Sequence, residues 1–185
     1  MMRTKKALTL MLIALSSMTV RAQFYSLRTN LIGDATLNLN AELSMTANRR
    51  WSFHFPVQYN PFMYNKDMYE NRKARNLTIE PGVRYWLRES YNRAFVGVMG
   101  IASRFDLCHI WDEYRYDGYA LGLGAAFGYA WPIAKRWNFE LEGGPGIVYA
   151  SYNKYKCKHC GKKLGHESGL YLIPARVSAS FVYLF

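Results

Sequence analysis

The chain has 185 residues, enough for one domain, with 16% aromatic residues and a formal net charge of +11. After the first 22 residues no run of about 20 apolar residues occurs, which excludes a helical membrane span there. The basic balance raises the question of nucleic acid, but the chain carries no nucleic-acid motif and begins with an export signal.

That signal covers residues 1–22. Arg3, Lys5 and Lys6 form its positive start, Ala7 to Val20 its apolar stretch, and Val20-Arg21-Ala22 its cleavage site. No Cys follows the site, so no lipoprotein anchor is expected. Four bases and no acid fall in this segment, which leaves about +7 on residues 23–185.

Eight strands are expected from Gln23 onward. The first runs from about Phe24 to Ile32 and turns at Gly33-Asp34. The second runs from Leu37 to Thr46, and Ala47 to Arg50 turns it. The third covers Trp51 to Asn60, before a long loop from Pro61 to Arg75. The fourth covers Asn76 to Leu87, with a short turn over Arg88 to Arg93. The fifth covers Ala94 to Phe105, followed by a loop from Asp106 to Asp117. The sixth covers Gly118 to Ala130, with a turn over Trp131 to Arg136. The seventh covers Trp137 to Ala150. The longest loop, Ser151 to Ser168, precedes the eighth strand, Gly169 to Phe185.

Short turns thus alternate with long charged loops, and the stretches between them have a period of two. In the second strand Leu37, Leu39, Ala41, Leu43 and Met45 oppose Asn38, Asn40, Glu42, Ser44 and Thr46. In the third, Trp51, Phe53, Phe55, Val57 and Tyr59 oppose Ser52, His54, Pro56, Gln58 and Asn60. The fifth is ambiguous, because Phe95, Met99 and Ile101 compete with Val96 and Val98. In a soluble sheet protein the large apolar residues point inward. Here they are too many for a small interior. The pattern therefore predicts an all-β fold, an eight-stranded antiparallel up-and-down transmembrane β-barrel with apolar residues toward lipid.

Aromatics near the strand ends suggest two interface belts. Trp51, Tyr85, Trp86, Phe95, Tyr129, Trp131, Trp137 and Phe139 lie beside the short turns. Tyr59, Tyr64, Phe105, Trp111, Tyr119, Tyr149, Tyr152 and Tyr171 lie near the long loops. Short turns face the periplasm in such barrels. Localisation in the outer membrane of a Gram-negative cell follows, with long loops outside and no separate periplasmic domain. The alternating end, Ser180 to Phe185, resembles the terminal signal read by the barrel assembly machinery, which would be a partner through Phe185.

The expected inner face holds Arg28, Glu42, His54, Glu80, Arg84, Glu140, Glu142 and Arg176. An ion-pair network filling the interior is the simplest use of such a set, since a lone buried charge is costly. Glu140 and Glu142 also invite a paired-carboxylate hydrolase, but they share one strand face without a defined cleft. In the last loop Cys157, His159 and Cys160, with His166 and Cys108, resemble part of a zinc site. The alternatives are a Cys157–Cys160 disulfide that leaves Cys108 free, or free thiols. No cofactor is required, zinc being the one candidate. Neither G-x-S-x-G nor H-E-x-x-H occurs, and His54, His109, His159 and His166 show no evident pairing with Ser and acid.

Several segments resemble an uncharacterised family of small outer-membrane β-barrels from Bacteroidetes-type bacteria, a domain of unknown function. They are Asn30-Leu31-Ile32-Gly33-Asp34-Ala35-Thr36, Arg50-Trp51-Ser52, Glu80-Pro81-Gly82-Val83-Arg84-Tyr85-Trp86-Leu87, Lys135-Arg136-Trp137-Asn138 and Tyr155-Lys156-Cys157-Lys158-His159-Cys160-Gly161. The family has no assigned catalytic residues. The resemblance implies a supporting role in fimbrial or other surface-appendage biogenesis. The expectation is a non-enzymatic barrel with a filled lumen, whose cell-surface loops contact outer-membrane lipid, glycan or an appendage protein. The alternatives are a lipid-modifying outer-membrane enzyme and a metal-binding surface module on Cys157 and Cys160.

Overall fold

A computed structural model describes residues 25–62, 73–108, 114–156 and 163–185. The export signal and Cys157, His159 and Cys160 lie outside these residues. The chain forms β1 (Tyr25–Asn30), α1 (Leu31–Ala35), β2 (Leu39–Asn48), β3 (Trp51–Asn60), β4 (Lys73–Ile79) and β5 (Gly82–Trp86). It continues through β6 (Arg93–Cys108), β7 (Tyr114–Ala134), β8 (Trp137–Lys156) and β9 (Lys163–Leu184). All strands join one antiparallel sheet, and β2 pairs with both β1 and β3, so the sheet rings back on itself. No helix among the described residues is long and apolar enough to cross a membrane.

The ring runs through eight strands, because β4 and β5 follow one another along the same path between β3 and β6. Where one strand was expected over Asn76 to Leu87, the path breaks at Glu80-Pro81. Proline has no N–H to give the ladder. The neighbouring groups are still met, by Glu80 N–H to Pro56 O at 3.1 Å and Gly100 N–H to Pro81 O at 2.8 Å.

The first expected strand is cut short. It ends at Asn30, whose side chain caps α1 by accepting from Ile32 N–H at 3.1 Å. At the loop end the strands outrun expectation. β7 and β8 pair from Tyr114 and Lys156 downward, and β8 and β9 from Tyr155 and Lys163. Much of the two loops expected at Asp106 to Asp117 and Ser151 to Ser168 is therefore ladder. The wall is low at β1 and β2 and tall from β6 to β9.

Polarity is inverted relative to a soluble core. Leu123 is 74% exposed and Phe127 66%, while Arg28, Glu42 and Arg84 are buried. The ambiguity in the fifth expected strand resolves with Phe95, Met99 and Ile101 inward and Val96 and Val98 outward. Several aromatics assigned to the two belts lie inside instead. Trp86 and Phe95 are buried in a cluster with Tyr91 and Ala130 at the turn end. Phe105, Tyr152 and Tyr171 line the interior at the loop end. Trp51, Trp131, Trp137, Tyr119 and Tyr149 do face outward.

Candidate functional site

Inward positions at mid-height carry charge. Arg28 comes from β1, Glu42 from β2, His54 from β3, Arg84 from β5, Glu140 and Glu142 from β8, and Arg176 from β9. Glu80 projects from the break between β4 and β5. None of the eight is more than 5% exposed. Arg28 donates to Glu42 at 2.7 Å, Glu140 at 2.8 Å and Glu142 at 2.7 Å. Arg84 reaches Glu142 at 2.8 Å and Glu42 at 3.1 Å, and its guanidinium lies 4.8 Å from the Phe95 ring centroid. Arg176 binds Glu80 at 2.5 Å, Glu142 at 3.1 Å and also Glu42. Each arginine thus bridges at least two carboxylates from different strands, which ties the ring across its interior. A small pocket of about 10 Å³ beside this cluster is lined in part by Arg28, Glu42 and Arg176. That is room for about one water.

Glu140 and Glu142 each give an oxygen to Arg28 inside this closed cluster. No cleft separates them for a substrate. The turn end is sealed below by Trp86, Tyr91 and Phe95. Tyr91 stands on a turn with φ of 63° and folds inward. Its hydroxyl meets Ser44 at 2.9 Å, and its carbonyl accepts from Asn138 at 2.5 Å. From the sequence Tyr91 is a turn residue, and nothing local tells a turn tyrosine to fold back.

Above the cluster the interior is hollow rather than filled. A cavity of about 630 Å³ lies between Glu80 at its base and Tyr116, Tyr152 and Tyr171 at its mouth. The Tyr152 hydroxyl meets Tyr171 at 3.0 Å and donates to Glu167 at 3.1 Å.

His166, on β9, meets two residues of β8. Ser151 Oγ lies 3.3 Å from its Nε2, and Asn153 Oδ1 lies 3.2 Å from its Nδ1. This corrects the expectation of no Ser–His pairing. The three residues meet across β8 and β9, because Asn153 sits opposite His166 in register and Ser151 is one step down the same face. Ser151 is 6% exposed, and the third member is an amide rather than an acid. Cys108, at the end of β6, is disulfide-bonded, contrary to the free thiol expected beside a Cys157–Cys160 bridge. A disulfide sulfur is no thiolate ligand, which takes Cys108 out of the zinc set. Among the described residues no group of three His, Cys, Asp or Glu is placed to hold a metal.

No curated protein and no solved structure matches the chain. One family model matches over residues 8–185, described as a protein of unknown function, DUF3575. The match spans nearly the whole sequence, and the chain belongs to the DUF3575 family.

Proposed function

We propose that this protein is a small, non-enzymatic outer-membrane β-barrel, closed at mid-height by an Arg–Glu plug, that works through its loop end. The observation that carries this reading is the inverted polarity. Eight charged or imidazole side chains are buried, while Leu, Phe and Trp cover the outside. Water would not favour that exchange, but a bilayer would, because lipid-facing strands alternate apolar out and polar in. Where the ring is closed, it also leaves few backbone groups to face hydrocarbon. The buried ion pairs that interlock across the interior support a barrier rather than a channel. The loop end then contacts outer-membrane lipid, glycan or a partner, and a supporting role in surface-appendage biogenesis agrees with the family resemblance.

The mature chain should migrate faster on unboiled than on boiled gels, as folded barrels do. Protease added to whole cells should cut within residues 154–163, where Lys154, Lys156, Lys158, Lys162 and Lys163 cluster. A mature chain that stays soluble without detergent contradicts the reading.

One observation favours a second reading, a lipid-modifying enzyme. Ser151, His166 and Asn153 follow the order nucleophile, base and orienting group. Their face is the outward one, just beyond Tyr149 and Leu170. Lipid mass spectrometry of cells carrying wild type or Ser151→Ala separates the readings. Identical lipid profiles are expected, whereas a lipid product lost with Ser151→Ala establishes the enzyme.

A further inference from the structure

We propose that the hollow outer half of the barrel binds an acylated amphiphile that enters from the side, between β9 and the corner formed by β1 and α1. The inference rests on the barrel reading and adds a ligand class to it. Its first support is the chamber itself. About 630 Å³ is the volume of an ordinary small-molecule site. Apolar Ile101, Phe105, Ala120, Val148, Ala150 and Ile173 line it together with polar Gln58, Thr78, Glu80 and Ser103. A hydrocarbon chain with a polar end suits that mixed lining.

The second support is a gap in the wall. β1 ends opposite Ser180, so beyond that point β9 has no strand on the side away from β8 among the described residues. Asn30 meets the first groups of this free edge, donating to Val177 O at 3.3 Å and accepting from Ala179 N–H at 3.2 Å. Further along, no described backbone group pairs with the edge. The chamber is lined by five consecutive β9 residues, Tyr171 to Ala175. This is the stretch of β9 that lies beyond the end of β1, so the chamber abuts the gap.

The gap lies at the height of outward apolar residues. Leu172 and Leu170 are 77% and 73% exposed and pair with Ile147 and Tyr149. Hydrocarbon of the outer leaflet therefore reaches the opening. A bare alkyl chain would leave unmet the N–H and C=O groups of β9 that no described residue pairs with, which is costly in hydrocarbon. An ester, amide or carboxylate at the head of the chain supplies acceptors for those N–H groups. The tail then lies between Val148, Ala150 and Ile173.

The source is either a bilayer lipid through the gap or a free fatty acid through the mouth, and two measurements separate them. The full mature chain is placed in phosphatidylcholine vesicles whose acyl chains carry a diazirine, irradiated, and mapped by peptide mass spectrometry. Adducts are expected on inward Val148, Ala150 and Ile173 as well as on outward Leu123 and Phe127. Ala150→Trp, which fills the chamber, should lower the inward adducts by about tenfold and leave the outward ones unchanged. Ala120→Leu guards against a local folding defect. In parallel, cis-parinaric acid is titrated into amphipol-held protein, where a saturable fluorescence rise is expected and should be lost in Ala150→Trp. Parinarate binding without inward lipid adducts supports the chamber but overturns entry from the bilayer. Outward adducts alone, with no parinarate binding, overturn the proposal and leave the barrel standing. Loss of the outward adducts too would mean that the barrel reading itself has failed.

Discussion

Arg176 is the residue on which the plug turns, since it contacts Glu42, Glu80 and Glu142 from three directions. It can do so because β9 shifts register against β8 between Gly144 and Pro145. That bulge lets Ala175 and Arg176 both turn inward. A Cβ on Gly144 would collide with the Ala125 carbonyl, so the backbone of β7 leaves no room for a side chain at this position. Replacing Arg176 by Met leaves three carboxylates short of a cation. Breaking one side of a buried ion pair costs about 3–5 kcal/mol. The expected outcome is a lower urea midpoint for loss of the fast-migrating gel band, partly restored by adding Glu80→Gln. An unchanged midpoint would mean that the plug contributes nothing to stability.

At the scale of the strand, alternation was legible where one face is bulky and the other small or charged. β2, β3 and β7 read cleanly, and the plug residues were identifiable because charges recur at the inward parity. β6 did not read, because Phe95, Met99 and Ile101 serve the interior seal and chamber while Val96 and Val98 face out. Both faces are apolar there, and only pairing with distant strands decides between them. Trp86 was misassigned for the same reason. Its indole donates to Ser52 at 2.9 Å, a partner 34 residues away. The Ser151–His166–Asn153 contact depends on the β8–β9 register beyond the expected strand end, so no local signal could show it. The outward parity itself makes a prediction. Leu123→Arg on β7 should weaken membrane assembly by about 2–4 kcal/mol, the cost of Arg near the midplane of a bilayer. The yield of folded protein in vesicles measures this. On a water-facing surface the same change would be neutral.

The whole molecule divides along its axis into an aromatic seal, a charged plug and an open chamber. Among the described residues the ring of strands closes where β1 is present and is incomplete where β9 stands taller. This asymmetry follows from chain lengths around the ring, with 6 residues in β1 against 22 in β9. The lower half is built to be shut and held rigid by charge pairs. The upper half has space, a mouth of tyrosines and an edge of β9 left unpaired among the described residues, and it is the part suited to meeting other molecules. Everything in this account depends on which side of the wall meets hydrocarbon. Tryptophan quenching by brominated phosphatidylcholine reads that directly, using variants that keep a single Trp at position 86, or at 123 through Leu123→Trp. Strong quenching at 123 and little at 86 is the expected result. Equal, weak quenching at both, from a chain that remains in the aqueous phase, would contradict it.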